Sequence, residues 1–175
     1  KGIKSSLLMS KASSLYRCLS KTIFSASSLL KILNDEICET TSRGMFVTMI
    51  VGVYDKNKNE LLLANAGHEP PLIFSKDGNF KTIDEAGPPL GIAPNFKFAE
   101  QIISFKESSM YIFTDGITEM KNNNGEMLGQ EGFQDYIKKY QTTPNNKRLQ
   151  KMIEDLISSG RIQKDDLTIV TVDGN

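Results

Sequence analysis

From Phe46 to Tyr54 the chain runs without a charge and is dense in β-branched and aromatic side chains. That is the composition of a strand lying in a sheet and burying its faces. Such a strand needs neighbours, and the sequence supplies turn signals at short intervals after it. Lys56–Asn59 reads as a polar turn leading into a strand over Glu60–Asn65, so the first pair is expected to be a β-hairpin. Leu72–Ser75 and Phe80–Ile83 read as a second hairpin, closed by Asp77-Gly78, a dipeptide that readily adopts positive φ. Gly87-Pro88-Pro89-Leu90-Gly91 reads as a rigid loop, since two prolines fix φ while the flanking glycines allow unusual angles. Strands are expected again over Phe98–Phe105, Met110–Thr114 and Asp166–Val172.

Helical spacing brackets this β-rich centre. Leu8, Ala12, Leu15 and Leu19 recur at three- and four-residue intervals and predict an amphipathic helix over Ser5–Lys21. A second helix is expected from Ser28, read as its N-cap, with Leu29, Leu30, Leu33 and Ile37 on one side until the breaker Thr40–Gly44. After Asp115-Gly116 come a short helix, an Asn-Asn-Gly turn and a helix near Gln130–Tyr140. Thr143 and Pro144 read as N-cap and first residue of a last helix that buries Leu149, Met152, Ile153, Leu156 and Ile157 and stops at Gly160. Helix pair, strands, helix pair, strand is the order of an α+β fold whose sheets are covered by helix pairs. A length of 175 residues suits one domain, 1–175.

Lysine plus arginine equals aspartate plus glutamate at 21 each, which removes any chain-wide electrostatic argument for nucleic acid or an anionic membrane as partner. No apolar stretch approaches the length of a membrane span, and nothing in the first residues resembles a secretion signal. Cys18 and Cys38 lack C-x-x-C spacing and read as small buried thiols, which fits a reducing cytoplasm.

Two places carry candidate chemistry. Asp115 follows an apolar strand and precedes Gly116, so its carboxylate is expected at a strand end where the backbone turns sharply. Asp165-Asp166 stands immediately before the last strand. Each is also what an ordinary turn or a solvated loop looks like. Together they form two strand-end carboxylate sites able to converge on a hard divalent cation such as Mg²⁺ or Mn²⁺. His68 is the single histidine, so no multi-histidine zinc or iron site can be assembled. No G-x-S-x-G elbow, phosphate-binding P-loop or G-x-G-x-x-G occurs, which disfavours serine-hydrolase and nucleotide-fuelled chemistry.

Five motifs in order now carry a resemblance: Phe46-Val47-Thr48, Ala64-Asn65-Ala66-Gly67-His68-Glu69-Pro70-Pro71, Gly87-Pro88-Pro89-Leu90-Gly91, Thr114-Asp115-Gly116-Ile117-Thr118-Glu119, and Asp165-Asp166-Leu167-Thr168. Together they resemble the SpoIIE-like phosphatases of the metal-dependent PPM superfamily, and the likeness spans essentially the whole chain. The resemblance implies a four-layer αββα sandwich, with two antiparallel sheets flanked by helix pairs. It further implies a two-metal Mn²⁺ or Mg²⁺ centre that activates water for in-line attack on phosphorus, with no phosphoenzyme.

Residue by residue, the resemblance implies catalytic and metal-binding roles for Asp115 and Asp165, with Asp166 as a lesser ligand. Thr114 and Gly116 are expected to shape the turn and Thr168 to support the site. Asn65 and His68 match a motif but no ligand position; for His68 a loop-bonding role is expected ahead of proton transfer or substrate contact. Gly87–Gly91 is expected to be loop architecture. The family's Asp-x-Ser-Gly-His/Lys-Gly motif matches only at its last residues, Lys1-Gly2-Ile3, so its ligands and the N-terminal strands are expected before residue 1. This chain alone is then expected to hold metal weakly or partially, and to self-associate as a homodimer through sheet-edge pairing or exchange of the first helix between two copies.

The function implied is hydrolysis of phosphoserine or phosphothreonine on a protein, with a STAS-type anti-sigma-factor antagonist as the partner. The alternative is a non-catalytic module of the same fold that binds a phosphoprotein.

Overall fold

Leu29, Leu30, Leu33 and Ile37 lie on one side of a helix and are all buried, each contributing about 1.5–3 kcal/mol by its removal from water. The helix that carries them is α2, Ala26–Thr40, and it follows α1, Ile3–Leu19. The computed structural model describes residues 2–40, 44–83, 87–104 and 107–174. Lys1 of the N-terminal match, residues 41–43 of the expected breaker and Phe105 of the expected fifth strand lie outside the described residues. α2 begins before Ser28: the backbone N–H of Ser28 donates to Ser25 Oγ at 3.1 Å, so Ser25 is the capping residue.

The chain forms two compact units, residues 1–68 with 84–104 and residues 69–83 with 105–175. In the first, β1 (Met49–Asp55), β2 (Glu60–Ala66) and β5 (Gln101–Ser104) make an antiparallel sheet in the order β1-β2-β5. The β1–β2 hairpin pairs Met49 with Ala66 through to Asp55 with Glu60. β1 is half-buried rather than buried: of its residues only Val51 is enclosed, because β1 stands at the edge of the sheet. Phe46, expected in this strand, precedes it and is exposed. α1 and α2 cover the sheet with one apolar core that contains Leu8, Ala12, Leu33, Val51, Ala64 and Phe98. Phe98 is buried from a segment that precedes β5, not from within a strand.

In the second unit, β3 (Leu72–Ser75), β4 (Phe80–Thr82), β6 (Ser108–Phe113) and β7 (Ile169–Asp173) form an antiparallel sheet in the order β4-β3-β6-β7. The β3–β4 hairpin closes at Gly78, whose φ of 85° is the positive value the Asp-Gly signal required. Helices α3 (Asp115–Thr118), α4 (Gly129–Lys139) and α5 (Asn145–Ser158) complete the unit. Its core joins Leu72, Tyr111, Phe113, Phe133, Met152 and Leu156. The fold is α+β with two antiparallel sheets and helices on them, as the pattern predicts.

Three further expectations need correction. Cys18 is exposed and only Cys38 is half-buried, because Cys18 falls off the Leu8–Ala12–Leu15 stripe of α1. α5 starts at Asn145 without a side-chain cap from Thr143. Its buried stripe is Arg148, Met152 and Leu156, while Ile157 is exposed and Leu149 and Ile153 are half-buried.

Candidate active site

β6 ends at Phe113, which is buried, and Ile117 in α3 is buried too. These two anchors hold Thr114, Asp115 and Gly116 where the chain turns from strand to helix. Thr114 is extended, with φ −95° and ψ 157°, and α3 starts at Asp115. The carbonyl of Asp115 accepts from the Glu119 amide at 2.9 Å and from Thr118 Oγ1 at 3.1 Å, so Thr118 helps to fix the turn.

The loop before β7 is sewn onto this turn. The Thr114 amide donates to the Thr168 carbonyl, the Thr168 amide donates to Thr114 Oγ1, and Thr114 Oγ1 donates to the Asp166 carbonyl, each at 3.2 Å. One hydroxyl therefore serves as donor and acceptor between two segments that are 52 residues apart. Gly116 is required by the same seam: a Cβ there would stand 2.3 Å from the Asp166 carbonyl oxygen. Leu167 packs against the second unit's core and holds the loop down. The Asp166 amide donates to Asp165 Oδ1 at 3.0 Å, and Gln163 Nε2 donates to the Asp165 carbonyl at 2.9 Å. Thr168 takes part through its backbone, with its side chain exposed.

The turn and the loop are thus brought together, and the carboxyl-bearing residues Asp115, Asp165 and Asp166 are all exposed beside the seam. Their donors are hard oxygens, which suit Mg²⁺ or Mn²⁺ better than zinc or copper. In number they fall short: among the described residues no three His, Cys, Asp or Glu side chains are grouped to hold a metal ion. The donor chemistry fits part of a divalent-metal site, not an enclosed one.

Asn65 and His68 lie in the first unit. Asn65 is fully buried at the end of β2, and its amide grips both backbone groups of His68: Nδ2 donates to the His68 carbonyl, and the His68 amide donates to Oδ1, both at 2.9 Å. Between them Gly67 has φ 65°, and a Cβ there would meet Pro89 Cδ at 2.5 Å. His68 Nδ1 and Thr48 Oγ1 share a hydrogen bond of 3.2 Å. The Gly87–Gly91 loop is stitched to this turn and to the Met45–Val47 segment by bridges between Ala66 and Gly87 and between Val47 and Leu90.

Asn34 on α2, fully buried, fastens the far end of that loop: Nδ2 donates to the Ala93 carbonyl at 2.8 Å, and Oδ1 accepts from the Gly91 amide at 3.1 Å. Thr48 belongs to the Phe46-Val47-Thr48 motif, whereas Asn34 lies outside every motif. The available signal for Asn34 is a polar residue between Leu33 and Ile37 on the apolar side of α2, where only a paired amide is tolerable.

The sequence model of the family described as Stage II sporulation protein E (SpoIIE) matches residues 1–174. Over 175 residues the chain is 28% identical to the phosphoserine phosphatase RsbU of Bacillus subtilis (strain 168), covering 98% of this chain and 52% of RsbU. It therefore spans about half the length of that relative. Among solved structures it resembles the SiaA-PP2C domain of Pseudomonas aeruginosa, with a TM-score of 0.81 at 15% identity over 99% of this chain and 72% of the other. It also resembles the manganese-presoaked phosphatase domain of the cell-fate determinant SpoIIE from Bacillus subtilis, with a TM-score of 0.62 at 19% identity over 93% and 72% of the two chains.

Proposed function

The chain belongs to the SpoIIE family, and on that premise we propose that its protein hydrolyses phosphoserine or phosphothreonine on a protein substrate, using Mn²⁺ or Mg²⁺. The two units make up one phosphatase domain, and the substrate is a phosphorylated STAS-type anti-sigma-factor antagonist in the cytoplasm. The observation that supports this reading most is the seam between the Thr114–Gly116 turn and the Asp166–Thr168 loop. It fixes two carboxylate-bearing segments against each other through backbone and hydroxyl groups while the carboxyl-bearing residues remain exposed.

In this proposal Asp115 and Asp165 hold the cation, with Asp166 beside them. When bound, the ion supplies an activated water and charge for the developing phosphate transition state. Thr114, Gly116 and Thr168 hold the two segments in register, and Asn65 keeps the His68 turn rigid. No helix among the described residues is long and apolar enough to cross a membrane. A homodimer through the sheet edge at β1 belongs to the same proposal, since among the described residues β1 has a strand neighbour on one side only.

The test is phosphate release from a phosphoserine-bearing STAS protein with Mn²⁺ present, for the wild type and for Asp115→Asn. Loss of at least about 100-fold in the variant, with the fold intact, supports the enzyme. Tight binding of the phosphoprotein without turnover in either form would instead establish the non-catalytic module.

A further inference from the structure

Just past α3 the chain doubles back in a short hairpin that the phosphatase reading does not use. Lys121 pairs with Met127 across the hairpin and, on its other side, with Ile162 from the segment after α5, both antiparallel. The Leu128 amide donates to the Met120 carbonyl and the Ile162 amide to the Lys121 carbonyl, each at 2.8 Å. Residues directly opposite each other in such pairs put their side chains on one face, and successive residues alternate between faces. Met120 and Leu128 are buried, so Met127, Lys121 and Ile162 form a row on the outer face.

That row is apolar at both ends and cationic in the middle. Met127 is 56% exposed and Ile162 54%, although Lys121 stands between them. A lone exposed apolar side chain is ordinary, but two aligned across three segments make a surface that a partner can cover. The row is also held rigid. Asn122 Oδ1 accepts from the amides of Asn124 and Glu126, each at 3.0 Å, and Asn122 Nδ2 donates to the Glu126 carboxylate at 2.8 Å. A surface already ordered loses little entropy when a partner settles on it.

Its position ties it to the aspartates. Ile162 is three residues before Asp165, which puts their Cα atoms within about 11 Å of each other. Gln163, between them, fixes the Asp165 carbonyl at 2.9 Å. Lys121 is six residues after Asp115, past the single turn of α3. With a phosphoserine at the aspartates, residues about three positions along its chain therefore come within reach of the row. The charges favour an acidic occupant. Arg161 and Lys164 stand on the same segment as Ile162 and join Lys121, Glu126 is engaged by Asn122, and the proposed function commits Asp165 and Asp166 to the cation.

We propose that the Met127–Lys121–Ile162 row is a docking strip for the phosphoprotein substrate. It takes an aliphatic side chain against Met127 and Ile162 and a carboxylate against Lys121, from residues about three positions away from the phosphoserine. The proposal rests on the reading of the aspartate site as one that takes phosphoserine on a protein.

The experiment compares two phosphopeptides on the full-length protein with Mn²⁺ present, with affinity read by fluorescence anisotropy and turnover by phosphate release. One peptide carries Leu and Glu about three residues to each side of its phosphoserine, and the control carries Ser in their place. The first should bind wild type about tenfold more tightly. In Met127→Ser/Ile162→Ser that advantage should fall below about twofold, while the melting temperature stays within about 1 °C of wild type because both side chains face outward. Equal affinity for the two peptides on wild type, binding of neither, or an advantage that survives in the double variant would each overturn the docking strip. Selective binding without phosphate release would sustain the strip and remove the enzyme, and phosphate release from both peptides without selectivity would do the reverse.

Discussion

The Asn65–His68 turn and the Thr114–Asp166 seam are both tight loops, and they spend their side chains in opposite ways. In the first, the side chain makes the structure: a buried amide is saturated by two backbone groups of one residue three positions on. In the second, backbone groups and one threonine hydroxyl fasten the seam, Asp165 Oδ1 accepts from the Asp166 amide, and the aspartates stand exposed. A buried amide whose donor and acceptor are both used internally cannot also serve a ligand, whereas an exposed carboxylate, with several lone pairs, can. The motif residues thereby separate into architecture and chemistry.

The sharpest way to break this contrast is to interchange amide and carboxylate in both places. Asn65→Asp keeps the shape but replaces the donor to the His68 carbonyl with an acceptor, and puts a carboxylate at a fully buried position. With no cation at hand, that should cost about 3 kcal/mol or more. Urea unfolding followed by circular dichroism measures it, and a loss below about 1 kcal/mol would mean that the turn tolerates solvent.

Next in size is Gly116→Ala. The new methyl group would meet the Asp166 carbonyl at 2.3 Å, and since the obstacle is backbone, relief requires the loop to move. A loss of about 2–3 kcal/mol is expected, together with weaker cation binding at the seam. Alanine at Gly125, where a Cβ meets nothing within 4 Å, bears only the strain of its φ of 84° and is the control. Equal losses at the two glycines would show that the close approach at the seam carries no energy.

How far the sequence reveals this division depends on range. Asp77-Gly78, the Lys56–Asn59 turn and the leucine face of α2 act through neighbours within a few residues, so their geometry is written locally. The two carboxylate sites were legible as strand-end positions, but that they share a seam depends on contacts 52 and 54 residues apart. Arg148, which the predicted stripe of α5 does not include, depends on range in the same way. It occupies the i−4 position of the Met152–Leu156 stripe and should have been suspected, but a buried arginine is stable only beside Asp173, which arrives 25 residues later. Ser28 reads locally as the N-cap of α2, but Ser25 holds that place. The helix starts earlier because Glu100, far along the chain, accepts from the Ser27 amide at 2.8 Å and from Ser25 Oγ at 2.9 Å.

Glu100 gives the third test, since it is a carboxylate spent on architecture. Burial works to raise its pKa, but the Ser27 amide and the Ser25 hydroxyl outweigh that and hold it below the ordinary value of 4.5. A depressed folded pKa means stability that is present above the unfolded pKa and lost as pH falls through the folded one. Wild type should therefore exceed Glu100→Gln by about 0.5–1 kcal/mol at neutral pH, a charge at a helix N-terminus. The gap should close below roughly pH 4. Urea midpoints of both proteins between pH 7 and pH 3 provide the measurement, and a gap that persists at the acid end would assign the effect to shape rather than charge.

The smallest expected effect bears most on the functional reading. Asp115→Asn exchanges one oxygen for an amide nitrogen, the reverse of Asn65→Asp, at an exposed residue. Asp115's structural work is done by its carbonyl, which accepts from Glu119 and Thr118, and the substitution leaves that carbonyl in place. The change in stability should fall within about 0.5 kcal/mol, the range of a surface substitution away from any special feature. If Asp115 serves a cation, manganese binding followed by calorimetry should weaken at least about tenfold in the same variant, because a neutral amide oxygen leaves a unit of cation charge uncompensated. Stability and binding would then part company at this position, while at Asn65 stability itself changes. A variant that loses more than about 1 kcal/mol of stability would place the Asp115 carboxylate among the groups that build the turn. The line between architecture and chemistry would then have to be redrawn through the seam itself.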